Sequence, residues 1–367
     1  MSKKIGIFTD THLGARGGST VFREYFGWYY HEVFFPYLKE HGITTLFMLG
    51  DFFDNRNHLS LSDIAFVNQV FLPLLESHGC TMYIIAGNHD LAFKNTNSIT
   101  SLSVMEHSEH VHILKDDVEE FEFDGSRFVF VPWINGSNYD EFMDDLNNIK
   151  DKQDVTILGH FEIEGFLMYK NSSRCEHGLD QKVFKDFKSV WSGHFHHQSK
   201  IGNIEYLGAT FHLNWQDHND KRGFWVYDTD TQEKTHVENE HSLFTEILYE
   251  DEHGLTHDQI NEFCEHQFVK IVINEEYDKV KFMDFYSKVT GSKPIDVQIE
   301  NNYAILSTKE YVSESSDDTQ ATEDKSIDQY IQTYVQKTVE DDDKKSSIMN
   351  KFVDVKSQAS DMMVKGE

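Results

Sequence analysis

Asp, Asn and His recur in this sequence directly after short apolar runs. Ile5 to Thr9 leads to Asp10-Thr11-His12, and Ile43 to Leu49 leads to Gly50-Asp51-Phe52-Phe53-Asp54-Asn55-Arg56. Tyr83 to Ala86 leads to Gly87-Asn88-His89-Asp90, Val155 to Leu158 ends at Gly159-His160, and Val190 to Ser192 ends at Gly193-His194-Phe195-His196. Runs of this kind suit strands buried on both faces. Beyond the carboxyl ends of such strands lies the crevice where open α/β sheets bind ligands. Singly, each piece is an ordinary turn or a hydrogen-bonded core histidine; five in this order form a metal site. Asp10, His12, Asp51, Asn88, His160, His194 and His196 supply seven side chains. Two divalent ions close together need about eight ligand positions, so a bridging Asp51 completes the set. His, Asp and Asn without thiolate suit manganese, iron or zinc over an all-oxygen calcium cage.

The elements that must position these residues are legible in part. Val21 to His41 reads as an aromatic-rich helix disturbed at Pro36, and Ser60 to His78 as a second helix capped by Ser60 or Ser62. Alternating strand and helix up to Ala86 implies right-handed crossovers and a parallel sheet. Val111–Leu114, Val118–Phe123 and Arg127–Trp133 read as strands, with a turn at Asp124-Gly125. Tyr139–Lys150 reads as a helix. Ile204–Leu207 and Gly223–Asp228 add further sheet, so two facing sheets fit better than one doubly wound sheet.

The composition turns polar between Thr235 and His241, where we place a boundary. Beyond it, strand (Phe244–Tyr249), helix (His257–His266), strand (Phe268–Ile273), helix (Lys279–Val289) and two strands (Ile295–Ile299, Tyr303–Leu306) form a small α/β cap. Residues 311–326 read as an acidic disordered linker. Ile327, Tyr330, Ile331, Tyr334 and Val335, then Ile348, Phe352, Val355, Ala359 and Met362, make amphipathic helical sets suited to docking a partner. The expected domains are thus 1–237, 238–310, the linker 311–326 and a helical tail over 327–367.

With 367 residues there is room for one large domain and a smaller one. No run approaches the roughly 18 apolar residues of a membrane span, and the first strand begins too early for a cleaved leader. Cys80, Cys175 and Cys264 are odd in number and scattered, which fits a reducing cytosol rather than a disulfide framework. The net charge of −30 argues against a broad basic face for nucleic acid. Residues 312–367 hold 13 acidic and 7 basic side chains, so most of the negative charge lies in the body. Bound cations would reverse that sign locally.

Asp-x-His, Gly-Asp-x-x-Asp, Gly-Asn-His-Asp, Gly-His and Gly-His-x-His, in that order, resemble the calcineurin-like metallophosphoesterase superfamily. Within it the chain is most similar to SbcD-type nuclease subunits of double-strand-break repair, particularly those of phages. The resemblance implies a two-sheet α/β sandwich with a small α/β capping domain and a C-terminal helical tail. It implies two divalent ions, manganese first, with magnesium, iron or zinc as alternatives. One ion would take Asp10, His12, Asp51 and His196, the other Asp51, Asn88, His160 and His194. It further implies that His89 faces the substrate, that Asp90 orients His89, and that Arg56 meets a DNA phosphate unless it forms a surface ion pair. The implied function is a two-metal DNA exonuclease and endonuclease subunit of an SbcCD-like recombination and repair complex, cleaving phosphodiesters by metal-activated water. Implied partners are DNA, an SbcC-type SMC-like ATPase on the C-terminal helix, and a second copy of the chain through helical stretches near Ser60–Glu76 and Asn97–Glu106. Two departures stand out: His197-Gln198 follows Gly-His-x-His where relatives often have Pro, and Tyr206-Leu207-Gly208-Ala209-Thr210 replaces Tyr-Pro-Gly-Ser. The extra histidines His197, His212 and His218 read as solvated or loop residues rather than ligands. Alternatives are a small-molecule phosphodiesterase or phosphatase of the same superfamily, and a non-catalytic DNA-tethering subunit.

Overall fold

The computed structural model describes residues 3–115, 117–170, 172–303 and 345. The linker and the docking helices expected over 311–367 lie outside the described residues but for Lys345. The chain divides into two compact units, Met1–Glu300 and Asn301–Glu367, and the first carries the site.

In chain order the strands are β1 (Lys4–Phe8), β2 (Thr45–Met48), β3 (Thr81–Ile85), β4 (Leu91–Phe93), β5 (Thr96–Thr100), β6 (Val111–Leu114), β7 (Glu119–Phe123) and β8 (Ser126–Val131). They continue as β9 (Val155–His160), β10 (Ser189–Gly193), β11 (Ser199–Ile201), β12 (Ile204–Tyr206), β13 (Gly223–Asp228), β14 (Glu233–Glu238), β15 (Phe244–Leu248), β16 (Phe268–Ile273) and β17 (Asp296–Asn301). Two six-stranded sheets, ordered β14-β13-β1-β2-β3-β6 and β11-β12-β10-β9-β8-β7, form the two-sheet α/β sandwich. β1, β2, β3 and β6 are mutually parallel, as are β8, β9, β10 and β12. All strands that end in candidate ligands therefore point their carboxyl ends the same way within each sheet.

Strand alternation explains the continuous apolar runs. Ile5, Ile7, Phe47, Leu49 and Ile85 meet Phe128, Phe130, Leu158 and Trp191 between the sheets. Their neighbours Phe8, Leu46, Met48, Met82 and Ile84 turn outward beneath helices. Val129, Val131, Ile157 and Val190 do the same on the far face. Both faces of the central strands are thus covered, and no polar alternation is required.

The aromatic helix runs from Thr20–Tyr29 through a wider π-turn at Tyr30–Phe34 into Phe35–Glu40. The second repeats this design: Leu61–Phe66, a π-turn at Val67–Phe71, then Leu72–Ser77. Each π-turn precedes a proline, Pro36 or Pro73, which lacks an N–H and whose ring would collide with an ordinary α-turn. Ser60 caps the second helix in a reciprocal pair with Asp63. Asp124 and Gly125 take positive φ (47° and 78°) and join β7 to β8 as a tight hairpin.

Three sequence expectations need correction. Asn97–Glu106 does not begin as a helix; it starts in β5 and becomes a short 3-10 turn only at Ser101–Met105. The Asn97 amide explains this, since it donates to the carbonyls of Lys115 and Trp133 and holds the segment extended. Tyr303, expected to open a strand, is helical. The polar stretch from Thr235 belongs partly to β14, an edge strand whose glutamates Glu233 and Glu238 are exposed while the Lys234 side chain is buried against Glu205. His212 lies in a loop, as expected, and is buried, with Nε2 2.9 Å from the Asp220 carbonyl.

β15, β16 and β17 form a separate three-stranded sheet, covered by helices His257–Cys264 and Lys279–Gly291 around Ile247, Tyr249, Ile260, Ile271 and Phe285. It meets the sandwich along an aromatic seam, with Phe22 against Phe244 and Phe268, and Trp215 against Phe244.

Candidate metal centre

The loops after β1, β2, β3, β9 and β10 converge on one buried point. Their backbones bend sharply there: Asp10, His12, Asp51 and His194 all take positive φ, at 52°, 49°, 53° and 89°. Left-handed conformations are uncommon for non-glycine residues and concentrate at functional sites. Gly50, itself at φ 89°, faces Gly87 across the cleft floor. A Cβ on Gly50 would lie 2.6 Å from His160 Nδ1 and 2.8 Å from Gly87 Cα. The small residue at the strand end therefore permits two loops to touch and brings Asp51 beside Asn88.

All seven candidate ligands are brought together. His12 Nε2 lies 3.1 Å from His196 Nε2, and each is 3.9 Å from Asp10 Oδ1. His160 Nε2 lies 3.2 Å from Asp51 Oδ2 and 3.1 Å from Asn88 Oδ1. Asn88 Oδ1 is also 2.9 Å from His194 Nδ1. Asp51 Oδ2 stands between the groups, 3.8 Å from His12 Nε2. Two clusters with ligand atoms mutually within 4.8 Å result, Asp10/His12/His196 and Asp51/His160/His194.

The donor set fits cations. His160 Nδ1 sits 2.7 Å from the Leu49 carbonyl, which can only accept, so Nδ1 carries a proton. The Nε2 lone pair then faces two oxygen acceptors, an arrangement that needs a second proton or a metal ion. Protonation is the ion-free solution: His160 is raised to about 9, burial opposing this and Asp51 outweighing burial. His12 is likewise raised to about 9 against burial, by Asp54, Asp51 and Asp10. Burial acts against the Asp51 carboxylate, but His160, His12 and His89 hold its pKa far below the usual range. His194 is lowered to about 3 by burial and by His160, which keeps it neutral, as a ligand must be.

Outer contacts orient these rings. Thr9 Oγ1 donates to Asp10 Oδ2 at 2.7 Å, and the His194 N–H donates to Asp10. His12 Nδ1 lies 3.3 Å from Asp54 Oδ1, and His196 Nδ1 lies 3.8 Å from Asp217 Oδ1. Asp217 is in turn held by Arg222 at 2.7 Å, the largest fully buried side chain among the described residues. Acids at this range favour a proton on Nδ1 and leave Nε2 to the cluster, although neither His12 Nδ1 nor His196 Nδ1 is hydrogen-bonded. Sequence reading missed Asp217 and Arg222, because nothing in the stretch after Phe211 marks a pair five residues apart as buried.

His89 lines a cleft of about 410 Å³ together with His12, Asp51, Asp54, His194 and His196. Its ring is not oriented by Asp90. His89 Nδ1 donates to the Asp54 carbonyl at 2.6 Å, while the Asp90 carboxyl accepts N–H bonds from Phe52, Phe53 and Gly87. The expected role of Asp90 is thus corrected: it ties the loop bearing Asp51 to the loop bearing Asn88. Burial, then Asp51, raises it to about 7. Arg56 is half-buried in the loop after Asp54, outside the cleft wall, and makes no ion pair among the described residues. Arg16 and Tyr169, not singled out in the sequence, do line the cleft. Gly14-Ala15-Arg16-Gly17-Gly18, right after Asp-x-His, was the available signal for Arg16.

Residues 3–198 match the calcineurin-like phosphoesterase family. The chain belongs to that family. Its metal-binding residue groups agree with the divalent metals that the family implies. Over 303 residues the chain is 29% identical to exonuclease subunit 1 of Enterobacteria phage T4, covering 82% of each protein. Among solved structures, an archaeal phosphodiesterase aligns at 14% identity and a TM-score of 0.32, covering 64% of this chain and 99% of its own. A purple acid phosphatase from yellow lupin (Lupinus luteus) seeds aligns at 14% identity and 0.33, covering 65% and 46%. No helix among the described residues is long and apolar enough to cross a membrane.

Proposed function

We propose that this phosphoesterase is a two-metal DNA exonuclease and endonuclease subunit. The observation that carries the reading is the junction of two ligand clusters at Asp51, with His89 on the wall of the cleft above them. Asp10, His12, Asp51 and His196 would hold one ion, and Asp51, Asn88, His160 and His194 the other. Divalent cations placed so polarise phosphoryl oxygens and make water nucleophilic near neutral pH, manganese being our first choice. The chain's own residues do the rest. Asp51 and Asp10 draw cations into an acidic molecule and so give a negatively charged substrate a place to bind. His89, its Nδ1 proton held by the Asp54 carbonyl, keeps Nε2 for the substrate; with a second proton taken from solvent onto Nε2, it would stabilise charge or protonate the leaving oxygen. Arg16 supplies a cation at the cleft edge for a phosphate, and Arg56 a further one outside it.

The identity to a phage exonuclease subunit supports DNA as substrate and a multisubunit assembly. In this reading residues 1–237 are the nuclease domain and 238–310 the cap. The tail over 327–367 docks an SMC-like ATPase, the chain pairs with a second copy, and the complex works in the cytosol. End-labelled duplex DNA resolved on gels with Mn²⁺, Mg²⁺ or chelator, with and without the ATPase, tests the proposal. Metal-dependent cleavage is expected. Turnover of a chromogenic phosphodiester with intact DNA would favour a small-molecule hydrolase instead.

A further inference from the structure

The loop between β9 and β10 brings together three ligand-type side chains that the metal centre does not use. Glu162, Cys175 and His177 have ligand atoms mutually within 4.8 Å. Glu162 Oε1 lies 3.1 Å from His177 Nε2 and 4.0 Å from Cys175 Sγ. We infer that these residues form a separate thiolate–imidazole–carboxylate site for a zinc-class divalent cation.

Backbone pairing builds the site. Leu179 N–H donates to the Glu162 carbonyl at 2.8 Å, and Cys175 exchanges backbone bonds with Gly165 and Phe166, also at 2.8 Å. Cys175 and His177 are two residues apart in a bend beside Glu162, and Cys175 Sγ also lies 3.2 Å from the His177 carbonyl. Gly178, at φ 104°, lets this segment close on Glu162, because a Cβ there would strike the Glu162 carbonyl. Tetrahedral zinc, at about 2.1 Å to nitrogen or oxygen and about 2.3 Å to sulfur, sets ligand atoms roughly 3.4–3.6 Å apart. The observed 3.1 and 4.0 Å straddle that spacing, so small rotamer changes suffice. Cys175 is 5% exposed, whereas the His177 side chain is 75% exposed, which leaves a fourth position for water. A thiolate selects zinc over manganese or magnesium, so this site and the His/Asp/Asn centre take different ions. The same loop carries Met168 and Tyr169 to the edge of the catalytic cleft, so an ion here would brace that edge.

Cobalt(II) titration of the metal-free full chain tests the site. Only a thiolate ligand gives a near-ultraviolet sulfur-to-cobalt charge-transfer band, and the main centre has none. The band should reach the intensity of one thiolate-bound cobalt per chain, whatever cobalt the main centre also takes, be displaced by Zn²⁺, and vanish in Cys175→Ser. His177→Ala, at an exposed position, should weaken cobalt binding at this site at least tenfold. No band in the wild-type chain, a band unchanged in Cys175→Ser, or unaltered affinity in His177→Ala would overturn the site. Because the band is read without DNA, it stands or falls independently of nuclease activity.

Discussion

His12 and His196 face each other with their Nε2 atoms 3.1 Å apart, although 184 residues separate them in the chain. Two imidazole nitrogens at that distance can share one proton, and Asp10 and Asp51 lie close enough to stabilise it. A cation between them answers both lone pairs and both acids at once. Replacing His12 by Ala should therefore remove one ion while His160, His194 and Asn88 keep the other. Metal analysis should fall from two manganese ions per chain to one, and DNA cleavage by at least a hundredfold.

His89 reaches the centre through its backbone, whose N–H donates to Asp51 Oδ1 at 2.7 Å, and through its ring, which packs edge-on to His12 at 5.0 Å. His89→Gln preserves that bond and removes the ring. Positioned acid–base groups typically contribute about 10²–10⁴-fold. The variant should lose cleavage by that factor and still bind two ions. Full cleavage with both ions bound would exclude His89 from the reaction.

Asp90 should behave differently. Its substitution by Ala leaves the buried N–H groups of Phe52, Phe53 and Gly87 without their acceptor, and each such loss costs about 1–3 kcal/mol. Asp90→Ala should lower the denaturation midpoint and loosen metal binding. A variant as stable as the parent but without cleavage would point to a direct part in the reaction.

These two neighbours show where the sequence is legible and where it stops. Asp10, His12, Asp51, Asn88, His160, His194 and His196 could be found because each follows an apolar run at a parallel strand's end, a placement that alternation and spacing encode. Asp90 lay in the same motif, yet its partner was misread, since the carboxyl points back to Phe52 and Phe53 rather than along the chain to His89. Asp217 and Arg222 act through the contact of Asp217 with His196 from a distant loop, and no local period marks them. Likewise β14 and β11 escaped notice: both are short or charged strands at sheet edges, where a hydrophobic pattern is not needed.

Metal binding should depend steeply on pH. His12 and His160 are each raised to about 9 in the ion-free chain, so both carry the extra proton at pH 7.5. An ion must displace those protons, and its apparent affinity should rise with pH until about pH 9, then level off. Calorimetry at pH 7.5 in buffers of different ionisation enthalpy should show one to two protons released as the ions bind. Release of none would mean that the imidazoles bind no metal.

The most direct measurement is a manganese titration of the metal-free chain, with bound ions counted and cleavage of end-labelled duplex DNA followed in the same samples. Two ions per chain should bind, with cleavage rising as the second site fills. Cleavage that persists in chelator, or a chain that binds no manganese at saturating concentration, would contradict the two-metal nuclease.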